Sequence, residues 1–261
     1  MPELLYPAVV STARALFKAQ GIRFDLRGTG NVPRAGGAVM VINHVGYLDF
    51  TYAGLAAHPS GRLVRFMAKQ EVFTHRVSGP LMRGMHHIPV DRDAGAGSYR
   101  SAVQALRGGE IVGVFPEATI SRSFELKDFK AGAIRMAMEA GVPVLPTIVW
   151  GSQRVWTKGL PKRLGRHRVP ISVWVGEPVA VPDAGDVAAI SASVRATMES
   201  MLHDAQEAYP DRPRGADDGW WQTSRLGGTA PTPDEALQMD RDELRARLAE
   251  AKRVRDAGRV R

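Results

Sequence analysis

The chain contains no cysteine. Disulfides, thiolate nucleophiles and cysteine-ligated zinc are thereby excluded, and the composition suits a reducing compartment. Long apolar runs are also missing: nothing reaches the roughly 18 residues that a membrane-spanning helix needs. The opening MPELLYP lacks the basic region of a secretory leader, so export is not expected. There is no Gly-x-Ser-x-Gly, the elbow on which serine hydrolases of the α/β type present their nucleophile. Repeats at solenoid or propeller periods and recognisable nucleic-acid motifs are likewise absent, so no nucleic-acid partner is expected.

The 261 residues are 44% apolar, enough to bury a sizeable core. Lys and Arg number 35 against 27 Asp and Glu, a formal charge of +8. That excess favours anionic partners such as lipid surfaces or phosphorylated molecules. Residues 4–20 place Leu5, Val9, Ala13 and Leu16 at helical spacing, which predicts an amphipathic helix that either packs on the core or lies in a membrane interface. Strand-like runs follow at 22–26, 38–42, 63–67, 88–90, 110–115, 142–150 and 170–175. Helical patterns occupy 48–57, 98–106, 131–140 and 187–208. Alternation of this kind predicts an α/β fold with a mainly parallel central sheet flanked by helices, whose sites gather at the carboxyl ends of strands. Past Tyr209 the composition turns to Pro, Gly, Asp and charge. The expected organisation is an N-terminal amphipathic helix (1–20), a catalytic domain (21–209) and a charged C-terminal tail (210–261).

Three segments carry candidate chemistry. In the first, the apolar run GGAVMVI ends on Asn43 and His44, and Asp49 follows five residues after the histidine. Within one helix that step would turn the two side chains about 140° apart. With His44 ending a strand and Asp49 in the first turn of the next helix, they converge. A carboxylate on one imidazole nitrogen leaves the other free as a base toward a hydroxyl. The plainer alternative is a histidine capping a helix beside an N-terminal carboxylate. In the second, the strand ending at Phe115 runs into Pro116-Glu117-Ala118-Thr119, followed by the cations Arg122, Lys127 and Lys130, a set fit for a phosphate or simply a solvated loop. In the third, Gly84 to Arg92, Arg92 stands just past a strand as another phosphate candidate. The same segment offers a rival dyad, His87 with Asp91, but an extended Ile88-Pro89-Val90 would hold those two about 13 Å apart.

Taken together these segments resemble the glycerolipid acyltransferases, the 1-acylglycerol-3-phosphate acyltransferase family. The blocks match in order: Asn43-His44-x4-Asp49, Gly84 through Arg92, Phe115 through Thr119, and Val142-Pro143-Val144-Leu145-Pro146. The resemblance spans residues 20–180 or so. It implies His44 as general base, Asp49 as its orienter, an acceptor pocket containing Arg92, Glu117 and Thr119, and a Val-Pro-Val-Leu-Pro block shaping the acyl or thioester channel. One departure stands out. The family's Glu-Gly-Thr-Arg reads Glu117-Ala118-Thr119-Ile120 here, so an arginine expected on phosphate is absent, and Arg122 is the candidate substitute.

The resemblance implies transfer of a fatty acyl chain to the hydroxyl of a lysophosphatidate-like acceptor. The donor would be an acyl-CoA or acyl-carrier-protein thioester as co-substrate, with no metal and no bound cofactor. The implied location is the cytoplasm, peripherally on the inner face of the membrane. A basic segment, 152–170, adds Arg154, Lys158, Lys162, Arg163, Arg166 and Arg168 without one acid. It reads as a solvated loop, or as a dock for an anionic membrane surface or an acidic acyl carrier. A rival of another class is a lipid-binding protein that keeps the fold without catalysis.

Overall fold

The computed structural model describes residues 5–91 and 95–258. The chain divides into two compact units, Met1–Ile120 with Leu126–Arg212, and Ser121–Glu125 with Pro213–Arg261.

The first unit opens with helix α1 (Leu5–Ala19) and strand β1 (Arg23–Arg27), followed by β2 (Ala38–Ile42), α2 (Asp49–Ala57), β3 (Val64–Lys69), α3 (Gln70–Thr74), α4 (Ser78–Gly84) and β4 (Ile88–Val90). It continues with α5 (Gly95–Arg107), β5 (Ile111–Val114), α6 (Gly132–Ala140), β6 (Val144–Trp150), β7 (Pro170–Val175) and α7 (Val187–Glu207). The strands form one sheet in the order β1-β7-β6-β2-β5-β3-β4. Every pairing is parallel except that of β6 with β7. The mainly parallel sheet expected from the alternation is what the chain forms.

β2 is central and buried at all five residues, because helices cover both of its faces. Met40 and Ile42 join Phe17 of α1 and Tyr52 of α2 in one core cluster, and α6 packs on β2 from the other side. Residue choice at close approaches is strict. A Cβ on Gly113 of β5 would stand 2.6 Å from the Phe66 ring on the neighbouring strand, so only glycine fits there. Gly141 ends α6 at φ 64°, the left-handed cap that glycine adopts without strain.

α1 is part of this core. Phe17 and Tyr6 are buried, and Tyr6 Oη donates to the Val64 carbonyl (2.7 Å). Leu16, about 100° round the helix from Phe17, is left at 60% exposure. Sequence patterning did not disclose α3 and α4. They are five and seven residues long, and α4 carries Gly and Pro.

In the second unit the main element is α8 (Pro233–Gly258). It starts on a capping box: Glu235 N–H donates to Thr232 Oγ1 (3.3 Å), and Thr232 N–H donates to Glu235 Oε2 (2.8 Å). No helix among the described residues is long and apolar enough to cross a membrane.

Candidate active site

The sheet delivers β2 to its carboxyl edge, and Asn43 closes the strand. Its side chain stands in for a further stretch of backbone: Nδ2 donates to the Val149 carbonyl (3.0 Å) and Oδ1 accepts from Val149 N–H (2.7 Å). With that stitch β2 and β6 are held together past their last ladder pair, and the chain is free to turn at His44.

Across that turn His44 Nδ1 lies 3.0 Å from Asp49 Oδ2. The same oxygen accepts from the N–H groups of Val45 and Gly46, both at 2.8 Å. Oδ1 takes a short hydrogen bond from Ser152 Oγ. Asp49 is fully buried, whereas His44 keeps 20% of its side chain exposed. A carboxylate only accepts, so Nδ1 carries the proton and Nε2 presents its lone pair. Among the described residues Nε2 makes no hydrogen bond. The ring lies against Phe115 with centroids 4.3 Å apart.

Ser152 escapes a sequence reading because it comes from the 3₁₀ turn after β6 and a serine carries no signal of its own. Gly46 lets the hydroxyl reach Asp49, since a Cβ there would stand 2.7 Å from Ser152 Oγ.

Glu117 joins this centre through the backbone. Oε1 accepts from His44 N–H (2.8 Å) and Oε2 from Lys127 N–H (3.0 Å). Its carboxyl is buried, and that desolvation pushes its pKa from 4.5 up to about 8, against the opposing pull of both N–H bonds and the Lys127 charge. Ala118 sits at φ 60°, the left-handed region where a glycine is at ease. The family's glycine at this position therefore has a conformational reason, and alanine accepts some strain. Thr119 Oγ1 receives Lys127 Nζ at 2.7 Å. Lys130 donates its N–H to the Pro116 carbonyl (2.9 Å) and leaves its side chain exposed. Arg195 of α7 fixes this segment by donating to the carbonyls of Leu126 (3.2 Å) and Lys127 (3.3 Å).

His44, Asp49, Glu117, Thr119 and Lys127 thus form one connected network. Arg122 belongs to the second unit, where its guanidinium meets Asp240 (3.2 Å) and Glu243 (2.8 Å), and Ile120 at the family's arginine position is buried. Arg92 lies outside the described residues. His87 is buried with Nδ1 accepting from Phe66 N–H (3.1 Å), while Asp91 is exposed beyond β4. The Val-Pro-Val-Leu-Pro block leads into β6, which is buried throughout beside β2. A cleft of about 590 Å³, lined by residues that include Phe73, Arg83, His87 and Pro89, and one of about 550 Å³ between α1 and β1 are not lined by His44 or Asp49. No group of three or more His, Asp or Glu side chains among the described residues is placed to hold a metal ion.

A buried carboxylate beside a partly exposed imidazole at a sheet's carboxyl edge is an arrangement able to abstract a proton. The chain belongs to the acyltransferase family, whose model matches residues 23–150. It is 30% identical over 157 residues to the 1-acyl-sn-glycerol-3-phosphate acyltransferase of Bacillus subtilis, a match covering 59% of this chain and 72% of that protein. An enzyme of the same name from Limnanthes douglasii is 29% identical over 167 residues, 62% of this chain and 57% of that one. In fold the chain resembles the crystal structure of the 1-acyl-sn-glycerophosphate acyltransferase from Thermotoga maritima, with a TM-score of 0.59 at 20% identity, covering 76% of this chain and 81% of that one. The relatives place it, more narrowly, among the glycerolipid O-acyltransferases.

Proposed function

We propose that the protein transfers a fatty acyl chain from a thioester, acyl-CoA or acyl-carrier protein, to the free hydroxyl of lysophosphatidate or a similar lyso-lipid. The observation that carries this reading is the 3.0 Å contact between His44 Nδ1 and Asp49 Oδ2, with Nε2 making no hydrogen bond among the described residues. The names of the relatives supply the acceptor class.

In this reading Nε2 takes the proton of the acceptor hydroxyl as its oxygen attacks the thioester carbonyl. The C–O bond forms, the C–S bond breaks, and the proton passes to the departing thiolate. Asp49 holds the tautomer and stabilises the imidazolium formed on the way. A thioester is already activated, so positioning and one base account for most of the acceleration. Lys127 and Lys130, with Arg92, receive the acceptor's phosphate, and Thr119 orients Lys127. Glu117 acts through the backbone, fixing the His44 peptide and the Lys127 peptide to each other. Arg122 reaches a phosphate only by exchanging Asp240 and Glu243 for it. The product belongs to phospholipid synthesis at the cytoplasmic face of the membrane.

The test is release of thiol from an acyl thioester with lysophosphatidate as acceptor. His44→Ala is expected to lower kcat about 10²- to 10⁴-fold, whereas His87→Gln keeps kcat within a few-fold. Full activity of His44→Ala would overturn the mechanism. Tight lipid binding without thiol release by the wild type would favour a non-catalytic binding protein.

A further inference from the structure

The sequence singles out Arg122, and acyl transfer as described does not use it. Its surroundings give it another task. The chain leaves the first unit after Ile120 and re-enters it at Leu126, so that Ser121–Glu125 is a short excursion into the second unit. The excursion begins just past Thr119 and ends just before Lys127. Those two residues meet: Lys127 Nζ donates to Thr119 Oγ1 (2.7 Å), and Lys127 N–H donates to Glu117 Oε2 (3.0 Å). The loop is therefore closed at its base by the very lysine that the proposed mechanism sets against the acceptor's phosphate.

Within the loop the backbone is tightly wound. Ser121 and Ser123 are buried, Ser121 Oγ donates to the Glu125 carbonyl (2.7 Å), and Ser123 Oγ accepts from Glu125 N–H (3.3 Å). Phe124 is buried at φ 61°, the left-handed region that a bulky side chain occupies only where its surroundings impose it. The hold on both ends of this loop comes from the C-terminal part of the chain. Arg122 Nε meets Asp240 (3.2 Å) and its Nη2 meets Glu243 (2.8 Å), both on α8. Glu125 Oε1 accepts from Thr223 Oγ1 (2.5 Å) and from Arg225 Nε (3.4 Å), and Thr223 is fully buried. Pro213–Arg261, which supplies this grip, lies outside residues 23–150, the part of the chain that the family model matches.

We propose that the second unit is a clamp on the acceptor loop: by holding Arg122 and Glu125 it fixes the span between Thr119 and Lys127 and so sets Lys127 for the acceptor's phosphate. The inference rests on the lipid reading above. Arg122 is then a positioning residue and not a phosphate ligand, because moving it onto a substrate would sacrifice two charge-assisted contacts at once. Asp240 and Glu243 act with it from 118 and 121 residues further along the chain.

The experiment compares the full wild-type chain with the double variant Asp240→Asn, Glu243→Gln, which leaves every residue of the first unit intact. Steady-state kinetics with lysophosphatidate and an acyl-CoA are measured beside amide exchange at Lys127. The double variant is expected to raise KM for lysophosphatidate about tenfold, the scale of one weakened hydrogen bond to a charged group, with kcat and the KM for the thioester unchanged. Exchange at Lys127, whose N–H is held by Glu117, should quicken. Thr223→Val loosens the other end of the loop without altering charge and should raise the same KM; it carries the test where the double variant does not fold. Wild-type KM in every folded variant would overturn the proposal. So would a lowered KM in the double variant, since an arginine released from its acids would then be binding the phosphate itself. A fall in kcat with KM unchanged would also overturn it. Absence of lysophosphatidate turnover in the wild type would sink the acceptor reading, and exchange at Lys127 would still decide the clamp: quickened in the variant upholds it, unchanged refutes it.

Discussion

With four donors converging on it, Asp49 is held in one orientation, and the imidazole it faces inherits that order. Ser152→Ala removes one of those donors. It should lower kcat on the order of tenfold, the scale of one hydrogen bond to a charged group, and leave KM unchanged. Gly46→Ala should act in the same direction by displacing Ser152. Steady-state kinetics with a soluble acceptor checks both. Glu117 makes a prediction about pH. Its folded pKa is raised from 4.5 to about 8, so the native state keeps a proton that the unfolded chain has lost. Stability from this group is present at low pH and declines as pH rises from about 5 to about 8. Glu117→Gln should flatten that slope in urea unfolding, while costing about 1–3 kcal/mol because an amide cannot accept both N–H groups. Spacing allowed the pairing of His44 with Asp49 beside a plain helix cap, and the family resemblance chose between the two. Ser152 was not legible, since it stands 103 residues away along the chain. Nor was the fate of Arg122: cations that look alike in a sequence differ by the acids that folding brings to them, here Asp240 and Glu243.

Among the elements, β2 decides where the site falls, and Asn43 decides how firmly. Replacing it with leucine strips partners from both Val149 N–H and the Val149 carbonyl. The expected loss is about 2–4 kcal/mol, read as a lower urea midpoint with unchanged slope. β2, β4 and β7 have the boundaries that their apolar runs indicate. The short helices α3 and α4 carry too few turns for a 3.6-residue period to show. The antiparallel joint of β6 and β7 was also hidden, because two buried apolar strands read alike whichever way they run.

At the scale of the whole molecule, α1 packs on the core, the first of the two roles that its sequence allows. Its buried side supplies Phe17, in contact with the rings of Phe24 and Tyr52, and its outer side leaves Leu16 exposed. Deleting residues 1–20 should therefore lower the thermal midpoint, with about 3–5 kcal/mol lost through Phe17 alone. Leu16→Ser should leave the midpoint unchanged and is the cleaner probe of membrane affinity. Calorimetry separates the two variants.

Trp156 has a practical use. Its indole is clasped by Tyr47 and Lys162 on the turn that leads to His44. Trp150 and Trp221 are buried, Trp174 is covered by Arg27, and Trp220 is partly exposed. In a Trp220→Phe background Trp156 should therefore serve as an optical reporter: lipid arriving beside that turn is expected to shift its fluorescence in colour and intensity, and can be timed without attaching a dye.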